Sequence, residues 1–396
     1  MIYFNNSSTT QMSKSVKKII KKELNNFFNP SDIFDKGIEN KNQICESKKQ
    51  IAKCLNCKEE EIIFTSCGSE GDSWLIQSLA LYSRQKFSLS KNHIITSTIE
   101  HKAVLNTCKF LEENMGFKVT YIKPNNEGYV EPESIKNAIT KDTCLISIMF
   151  VNNILGTIQP IKEIGEICHS NNIIFHVDAV QALGNIDIDL NNEYQYVDAM
   201  TFSGHKIHGP KIGFVYISDR FLNDDTIKFQ SLIHGGGQEN GYRAGTENLP
   251  YIKALSQAVV DATTDITEKQ NKIAKMIYKL YTGIRELNKK YNLNLYFTNE
   301  SHYYENTPQI KNNLHFCVPD MSADVLVDAL GSMGIYVSSG SACNSGNGDP
   351  DYVLQEIGIP DKYIYGGIRI TINEYNTLRE CDLFLYVLEK IIQMFF

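Results

Sequence analysis

The chain has neither an excess of basic residues nor a long apolar run, and these absences exclude two classes of partner. Its 396 residues include 39 Lys and Arg against 46 Asp and Glu, a formal net charge of -7. Because this balance provides no basic field, we expect no direct contact with nucleic acid. No apolar run approaches the ~20 residues of a membrane span, so we expect no membrane partner. The first residues also lack a secretory signal pattern.

Cysteine is too sparse for a disulfide scaffold, with ten residues in the whole chain. Most lie in apolar runs, as small core residues do, and a reducing cytoplasm is the expected location. Cys54 and Cys57 have the spacing of a metal or redox pair, but no second pair or nearby His completes a site. The sequence therefore favours packing at a helix end, with a metal role as the minor alternative, and we predict no metal site.

Residues 40 to 220 alternate helical patterns with short apolar strands. Such alternation predicts an α/β fold with a mostly parallel sheet covered on both faces. Ligands bind beyond the carboxyl ends of the strands in sheets of this kind. The predicted strands are Glu61 to Thr65, His93 to Ser97, Lys118 to Lys123, Cys144 to Val151, Ile173 to Val177, Ala199 to Phe202 and Ile212 to Ile217.

The last third of the chain has a different pattern. A long helical stretch covers Tyr251 to Tyr291, and shorter strands and helices after it predict a smaller α+β domain. We expect a large domain over 16–250 and a connector helix with the small domain over 251–396. Residues 1–15 are expected to pack on the small domain.

Lys206 ends the segment Ser203-Gly-His-Lys206, directly after a predicted buried strand. A lysine partly withdrawn from water loses its proton more easily, which prepares the amine to attack a carbonyl and form a Schiff base. An isolated lysine at a strand end would more often extend its ammonium group into solvent. The residues at neighbouring strand ends decide between these two interpretations, a Schiff-base lysine and a solvent-exposed one.

Thr65 to Glu70 follow one strand and precede a helix. Free backbone N–H groups at a helix start bind anions, and Gly68 lets a phosphate come close while Ser69 adds a hydroxyl. By itself the motif is weak, because Ser-Gly turns often only cap helices.

Polar residues at two further strand ends complete the pattern. Asp178 is placed to cap a helix or to pair with a pyridinium nitrogen, and Gln181 follows within reach of the same ring. His101 follows another strand and could stack on a planar cofactor. Together with Lys206 and the phosphate cradle, these residues indicate pyridoxal phosphate (PLP).

Cys343 lies in a Gly- and Ser-rich loop, Ser338 to Gly346. A structural cysteine would lie in an apolar run, whereas a nucleophilic thiol must be accessible. The sequence alone leaves a chance surface cysteine and a nucleophile as open alternatives.

With these residues assembled, the chain resembles the NifS/IscS-type cysteine desulfurases, within the class-V aminotransferase group of PLP enzymes. The resemblance implies the PLP-dependent transferase fold type I, with a mostly parallel seven-stranded sheet in the large domain. The matching segments are Tyr3 to Thr10, Ile62 to Ser66, Glu100 to Leu105, Val151 to Asn153, Gly156-Thr157, His176 to Gln181, Ser203 to Lys211, Gly235 to Glu239, Arg243 to Asn248 and Ser338 to Cys343.

The resemblance implies a role for each matching residue at the cofactor. Lys206 would hold PLP as a Schiff base and later remove the substrate Cα proton. Asp178 would pair with the pyridinium nitrogen, Gln181 would contact the phenolic oxygen, and His101 would stack on the ring and move protons. The residues implied to hold the phosphate are Gly68, Ser69, Ser203 and His205.

The resemblance also implies a shared active site and a substrate. Thr246 would be donated to the partner subunit's phosphate, so a homodimer is expected. Asn153 and Arg369 would bind the substrate carboxylate. Cys343 would take the sulfur of L-cysteine as a persulfide, leaving L-alanine, and pass it to an acceptor protein for iron–sulfur cluster assembly or thiolation.

Two alternatives stay open at this point. A selenocysteine lyase or another class-V enzyme would share Lys206 without requiring Cys343. A catalytically reduced homologue would serve as a sulfur-relay scaffold, although the set of Lys206, Asp178 and His101 argues against it.

The chain departs from the family pattern in several places. The Asp-Asn-Ala-Ala pattern is replaced by Asn5 to Ser8, Cys67 stands where glycine is usual, and Ile154 replaces a glutamate. Asn373 replaces a glycine, and one glycine is missing after Lys211. The core PLP residues are intact, so we expect an active enzyme.

Overall fold

The computed structural model describes residues 1–298, 300, 308–340 and 350–395. Its strands are β1 (Ile2–Tyr3), β2 (Ile62–Thr65), β3 (His93–Ser97), β4 (Lys118–Ile122), β5 (Thr143–Met149), β6 (Ile174–Asp178), β7 (Ala199–Ser203), β8 (Gly213–Ile217), β9 (Tyr296–Phe297), β10 (Asn313–Cys317), β11 (Ile335–Tyr336) and β12 (Gly367–Thr371). Its α-helices are α1 (Lys14–Glu23), α2 (Asp35–Leu55), α3 (Gly68–Lys86), α4 (Lys102–Met115), α5 (Pro132–Ala138), α6 (Ile161–Ser170), α7 (Asp219–Leu222), α8 (Leu249–Thr263), α9 (Ile266–Tyr291), α10 (Ala323–Ser332), α11 (Tyr352–Glu356) and α12 (Leu378–Phe395).

A seven-stranded sheet forms the centre of the large domain, in the order β2-β8-β7-β6-β5-β3-β4. Only β8 runs against its neighbours, so the predicted mostly parallel sheet is confirmed. The residues of β5 to β8 are all buried, which explains why these strands appear in the sequence as near-continuous apolar runs. The carboxyl ends of β3, β5, β6 and β7 meet at one edge of the sheet.

The start of α3 differs from the prediction and matters for the site. The apolar pattern predicts this helix from Gly71, but it begins three residues earlier, at Gly68. Cys67 caps it, because its sulfur accepts a hydrogen bond from the Glu70 N–H at 3.4 Å. The first turn of α3 therefore lies at the carboxyl edge of the sheet.

The long helical stretch predicted over Tyr251 to Tyr291 is two helices, so the prediction of one continuous helix is wrong. The hydroxyls of Thr263 and Thr264 donate to backbone carbonyls four residues earlier, and Asp265 adopts a left-handed conformation with φ 53°. The chain turns there. As a result α8 packs on α1 and α2, whereas α9 packs on α12.

The small domain is built on a three-stranded antiparallel sheet in the order β12-β10-β9. The N-terminus joins this region, because β1 pairs in parallel with β11. Phe4 is fully buried, with its ring centroid 5.7 Å from that of Phe384 on α12. Burial of this apolar side chain holds the first residues of the chain against α12.

Two further expectations can be compared with the described part of the chain. Within it, no helix combines the length and the apolar character that crossing a membrane requires. The same residues contain no group of three or more His, Cys, Asp or Glu placed to hold a metal ion.

Candidate active site

A cavity of about 350 Å³ opens between the carboxyl edge of the central sheet and the small domain. Ten of the site residues expected from the sequence line it: Gly68, Ser69, His101, Asn153, Asp178, Gln181, Ser203, His205, Lys206 and Arg369. These residues come from segments separated by up to 300 positions, and the fold brings them together around one space.

Lys206 reaches the cavity through a short 3₁₀ turn, Gly204–Lys206, at the end of β7. The turn is possible because residue 204 is glycine: a Cβ there would lie 2.6 Å from the Pro210 carbonyl oxygen. The Lys206 Nζ donates to the backbone oxygens of Ser7 and Ser8, at 2.6 and 2.8 Å. The N-terminal segment therefore fixes the amine inside the cavity.

Asp178 ends β6 and is almost fully buried. Its Oδ1 accepts the Val180 N–H at 2.9 Å. Burial raises the pKa of Asp178, while the neighbouring His101 and Lys206 oppose that shift. A buried carboxyl group in this position can bind a cation that enters the cavity.

His101 lies across the cavity as the N-cap of α4. Its Nδ1 accepts the Ala103 N–H at 3.1 Å, which leaves the ring proton on Nε2. Burial lowers the pKa of His101, with the charge of Lys206 acting in the same direction and that of Asp178 against it. The ring is therefore neutral at pH 7, and it can either stack or exchange a proton.

A buried polar chain crosses the sheet beneath α3. His176 contacts the Ser147 Oγ at 2.9 Å and the Thr201 Oγ1 at 3.1 Å, and burial lowers its pKa to about 3. Asp72, a residue of α3 that lines the cavity, lies beside this histidine, with its Oδ1 3.8 Å from the His176 Nε2. Burial, followed by the charge of Asp178, raises the pKa of Asp72 well above its usual range. A neutral histidine beside it cannot offset a charge on this carboxyl group.

The phosphate cradle predicted at the start of α3 has the necessary shape. A Cβ at Gly68 would lie 3.0 Å from the Val180 Cγ2 and 3.5 Å from the Ser203 Cβ, so a side chain there would fill the space beside the helix start. His205 contacts the Thr9 Oγ1 through Nδ1 at 3.1 Å, and burial lowers its pKa to about 4. His205 would therefore meet an anion as a neutral hydrogen-bonding group.

The guanidinium of Arg369, a residue of the small domain, contributes a positive charge to the cavity. Arg369 is buried on β12, and its guanidinium donates to the Asn153 backbone oxygen at 2.6 Å and to the Asn5 Oδ1 at 3.0 Å. The Asn153 side-chain Oδ1 is buried and has no hydrogen-bond partner among the described residues. A guanidinium beside an amide is suited to binding a carboxylate.

The residues of the cavity fit PLP. An anion site at the start of α3, a carboxyl group at Asp178 and an amine at Lys206 match the phosphate, the ring nitrogen and the aldehyde of that molecule. Two buried oxygens of residues that line the cavity, Asp72 Oδ1 and Asn153 Oδ1, have no hydrogen-bond partner among the described residues. Buried polar atoms rarely lack a hydrogen-bond partner, and a polar molecule bound in the cavity would provide one.

Two expected residues are not part of this cavity. Thr246 is exposed in the segment before α8 and does not line it. Cys343 lies outside the residues that the structure describes.

The fold and the cavity together define a PLP enzyme of fold type I, and comparison with known proteins agrees. Residues 2–384 match the model of the family "Aminotransferase class-V", to which the chain therefore belongs. A cysteine desulfurase IscS of Clostridium botulinum is 40% identical over 394 residues, which cover 99% of this chain and 94% of that protein.

Solved structures place the chain in the same group. A NifS-like protein superposes with a TM-score of 0.87 at 33% identity, covering 99% of both chains. A second structure, SspA in complex with cysteine, gives a TM-score of 0.78 at 33% identity, covering 95% of this chain and 100% of that one. The chain is thus a member of the cysteine desulfurases, whose cofactor is PLP.

Several lining residues were not expected from the sequence. Asp72 follows Gly68 by four positions, so helical spacing on α3 could have identified it. Ser7 and Ser8 act through backbone oxygens, which carry no sequence signal. Tyr352 joins from a helix far along the chain, and only the tertiary structure reveals it.

Proposed function

We propose that this protein converts L-cysteine to L-alanine and retains the sulfur as a persulfide on Cys343 for transfer to an acceptor. The observation that carries the proposal is the cavity itself, which joins the Lys206 amine, the buried Asp178 and the Arg369 cation. The similar structure solved in complex with cysteine supports this substrate. When bound, PLP supplies an electron sink that stabilises negative charge at the substrate Cα.

Each residue has a defined task in this proposal. Arg369 and the Asn153 amide bind the substrate carboxylate and so orient the Cα–H bond. Lys206 removes the Cα proton, and His101, whose proton is on Nε2, exchanges a second one. Asp178 would hold the ring nitrogen of bound PLP and keep it protonated.

Sulfur transfer balances without an external oxidant. The Cys343 thiolate attacks the substrate sulfur, the carbon–sulfur bond breaks and a sulfur–sulfur bond forms. The carbon keeps the electron pair of the broken bond and takes up a proton, which gives alanine. One cysteine and one enzyme thiol thereby become one alanine and one enzyme persulfide. An acceptor protein, in cluster assembly or thiolation, would then take the sulfur.

The proposal includes a homodimer in which Thr246 contacts the partner's phosphate. Thr246 is exposed and lies away from the cavity of its own chain, which supports a role in another subunit. Large apolar side chains before and at the start of α2 are also exposed, as expected of a surface that a second copy covers: Leu24, Phe27, Ile33, Phe34 and Ile38.

The domain boundaries and the location are also proposals. Pairing of β1 with β11 supports assigning residues 1–15 to the small domain. The packing of α8 on α1 and α2 favours a start of the small-domain unit near Asp265 rather than at 251. A cytoplasmic location is supported by the nine described cysteines, which are free thiols, five of them buried.

The central experiment compares purified wild type with Lys206→Ala and Cys343→Ser. We expect wild type to carry a visible absorbance band from bound PLP and to release sulfide from L-cysteine under a reductant. Lys206→Ala should lose both. Cys343→Ser should keep the absorbance and still change its spectrum with cysteine, but release no sulfide.

Each variant controls for the other, because one removes the attachment of the cofactor and the other removes only the sulfur acceptor. A colourless wild type that cannot be loaded with PLP would contradict the enzyme assignment. Sulfide release by Cys343→Ser at the wild-type rate would remove Cys343 from the reaction.

A further inference from the structure

Tyr352, the first residue of α11, lines the cavity at its mouth. Its hydroxyl donates to the backbone oxygen of Glu100 at 2.6 Å. The Nζ of Lys102 lies 3.8 Å from the centroid of its ring. The two contacts join α11 to the segment before α4 and to the first residue of α4 in the large domain, across about 250 residues of sequence.

An apolar cluster holds α11 in this position. The cluster takes Ile99 and Ile154 from the large domain, Cys317 from the small domain, and Val353 and Leu354 from α11. All five side chains are fully buried. Ile154 stands where the family pattern has a glutamate, so this departure adds apolar contact between α11 and the large domain. The cluster fixes the place of α11, and Tyr352 determines how its first turn meets the cavity.

The carbonyl that Tyr352 binds belongs to the residue directly before His101. The Glu100 side chain is fully buried, and its Oε1 accepts the Ser97 hydroxyl at 2.5 Å. Glu100, the residue before His101, is therefore held twice: its side chain contacts Ser97 at the end of β3, and its backbone oxygen accepts the Tyr352 hydroxyl. The Nδ1 of His101 accepts the Ala103 N–H. Loss of the Tyr352–Glu100 hydrogen bond would shift the peptide before His101 relative to this anchor, and so change the tilt of the imidazole ring.

We propose that Tyr352, with Lys102 over its ring, is a positioning residue that sets His101 and the start of α11 relative to one another. This inference rests on the proposed function, which assigns His101 to the cofactor ring and sulfur transfer to the segment that precedes α11. Tyr352 acts through the groups it holds and does not itself take part in bond making.

Tyr352→Phe removes the hydroxyl and keeps the ring under Lys102. We expect unchanged PLP content, an unchanged KM for L-cysteine, and a kcat lowered about threefold to tenfold, the effect of one hydrogen bond. The visible circular dichroism band of bound PLP should also change, because the tilt of His101 over the ring changes. A residue that only stabilised the fold would leave this band and the ratio of kcat to KM as they are.

Tyr363→Phe is the matched control. Tyr363 also donates its hydroxyl to a backbone oxygen, that of Asn294 at 2.9 Å, and it belongs to the same apolar cluster without lining the cavity. We expect its variant to keep the wild-type kcat and dichroism. Lys102→Met should change both in the direction of Tyr352→Phe, but less, since a partly exposed cation–π contact is weaker than this hydrogen bond.

The outcomes separate the two proposals. If wild type carries PLP but releases no sulfur from cysteine, the proposed function fails whatever the variants do. If wild type is active and Tyr352→Phe matches Tyr363→Phe in kcat and in dichroism, the positioning role of Tyr352 is overturned. A rise in KM alone would likewise overturn it, because the effect would then lie in substrate binding.

Discussion

The two sides of the cavity are built in different ways. The large-domain side is a buried network in which Asp178 and Asp72 sit on or against the central sheet, and burial together with the charge of Asp178 raises the pKa of Asp72. The small-domain side contributes the Arg369 guanidinium, which donates to neutral oxygens of Asn153 and Asn5. The large-domain side is therefore held in place by the strands of the central sheet, whereas the small-domain side depends on a few hydrogen bonds.

This difference separates the two tasks of the site. The sheet side provides the anion site at the start of α3, the Asp178 carboxyl group and the Lys206 amine, which match the groups of the cofactor. Burial holds these groups in place before any ligand binds. The small-domain side provides charge for a substrate carboxylate. Changes on the two sides should therefore affect cofactor affinity and substrate affinity independently.

The largest effect is expected for Asp178→Asn. The amide removes the charge that pairs with the ring nitrogen, so PLP should bind the apoenzyme roughly 10- to 100-fold more weakly, as expected for a hydrogen bond to a charged group. Titration of apoenzyme with PLP, followed by absorbance, measures this change. The control is Asp198→Asn, which removes another buried carboxyl group, one that lies directly before β7 and accepts the Phe175 N–H. Equal loss of affinity in both variants would mean general damage to the sheet.

Arg369→Lys should weaken substrate binding and leave cofactor affinity unchanged. A lysine cannot form the two parallel hydrogen bonds of a guanidinium, so the KM for L-cysteine should rise about tenfold or more while PLP affinity stays at the wild-type value. Steady-state kinetics and the PLP titration measure both quantities. Arg84→Lys, which changes an arginine that donates to the Met115 oxygen, serves as the control. A weaker PLP affinity in Arg369→Lys would contradict the separation of the two sides.

Asn5→Asp should have the smallest effect and tests a departure from the family pattern. A carboxylate 3.0 Å from the Arg369 guanidinium would compete with that of the substrate, so we expect KM to rise about twofold to fivefold with kcat unchanged. Asn191→Asp adds the same charge at an exposed position as a control. An unchanged KM would show that Asn5 has no influence on the substrate side.

The residues that could be predicted share one property, which is that their sequence neighbours define their place. Asp178 ends a buried apolar strand, Lys206 follows another, and Gly68 and Ser69 form the first turn of α3. The carboxyl edge of a parallel sheet therefore brings them together whatever the details of packing. Thr246 and the dimer stay predictions, and Cys343 lies outside the described residues.

Other features carry no local signal. The break at Asp265 depends on threonine hydroxyls that bond to the helix backbone, and periodicity does not show it. The early start of α3 depends on a cysteine acting as a cap, which is not a usual capping residue. Asn5 acquires its meaning only through Arg369, more than 360 residues away.

By itself the sequence determined the class of chemistry, since the amine, the acid and the phosphate cradle are each encoded by a few adjacent residues at the end of a strand. It also determined the central sheet, because apolar strands buried on both faces leave a continuous pattern. Only the tertiary structure decided which groups meet across the domains. Tyr352 on Glu100 and Asn5 on Arg369 are contacts between distant segments, and their geometry follows from how the small domain packs on the large one.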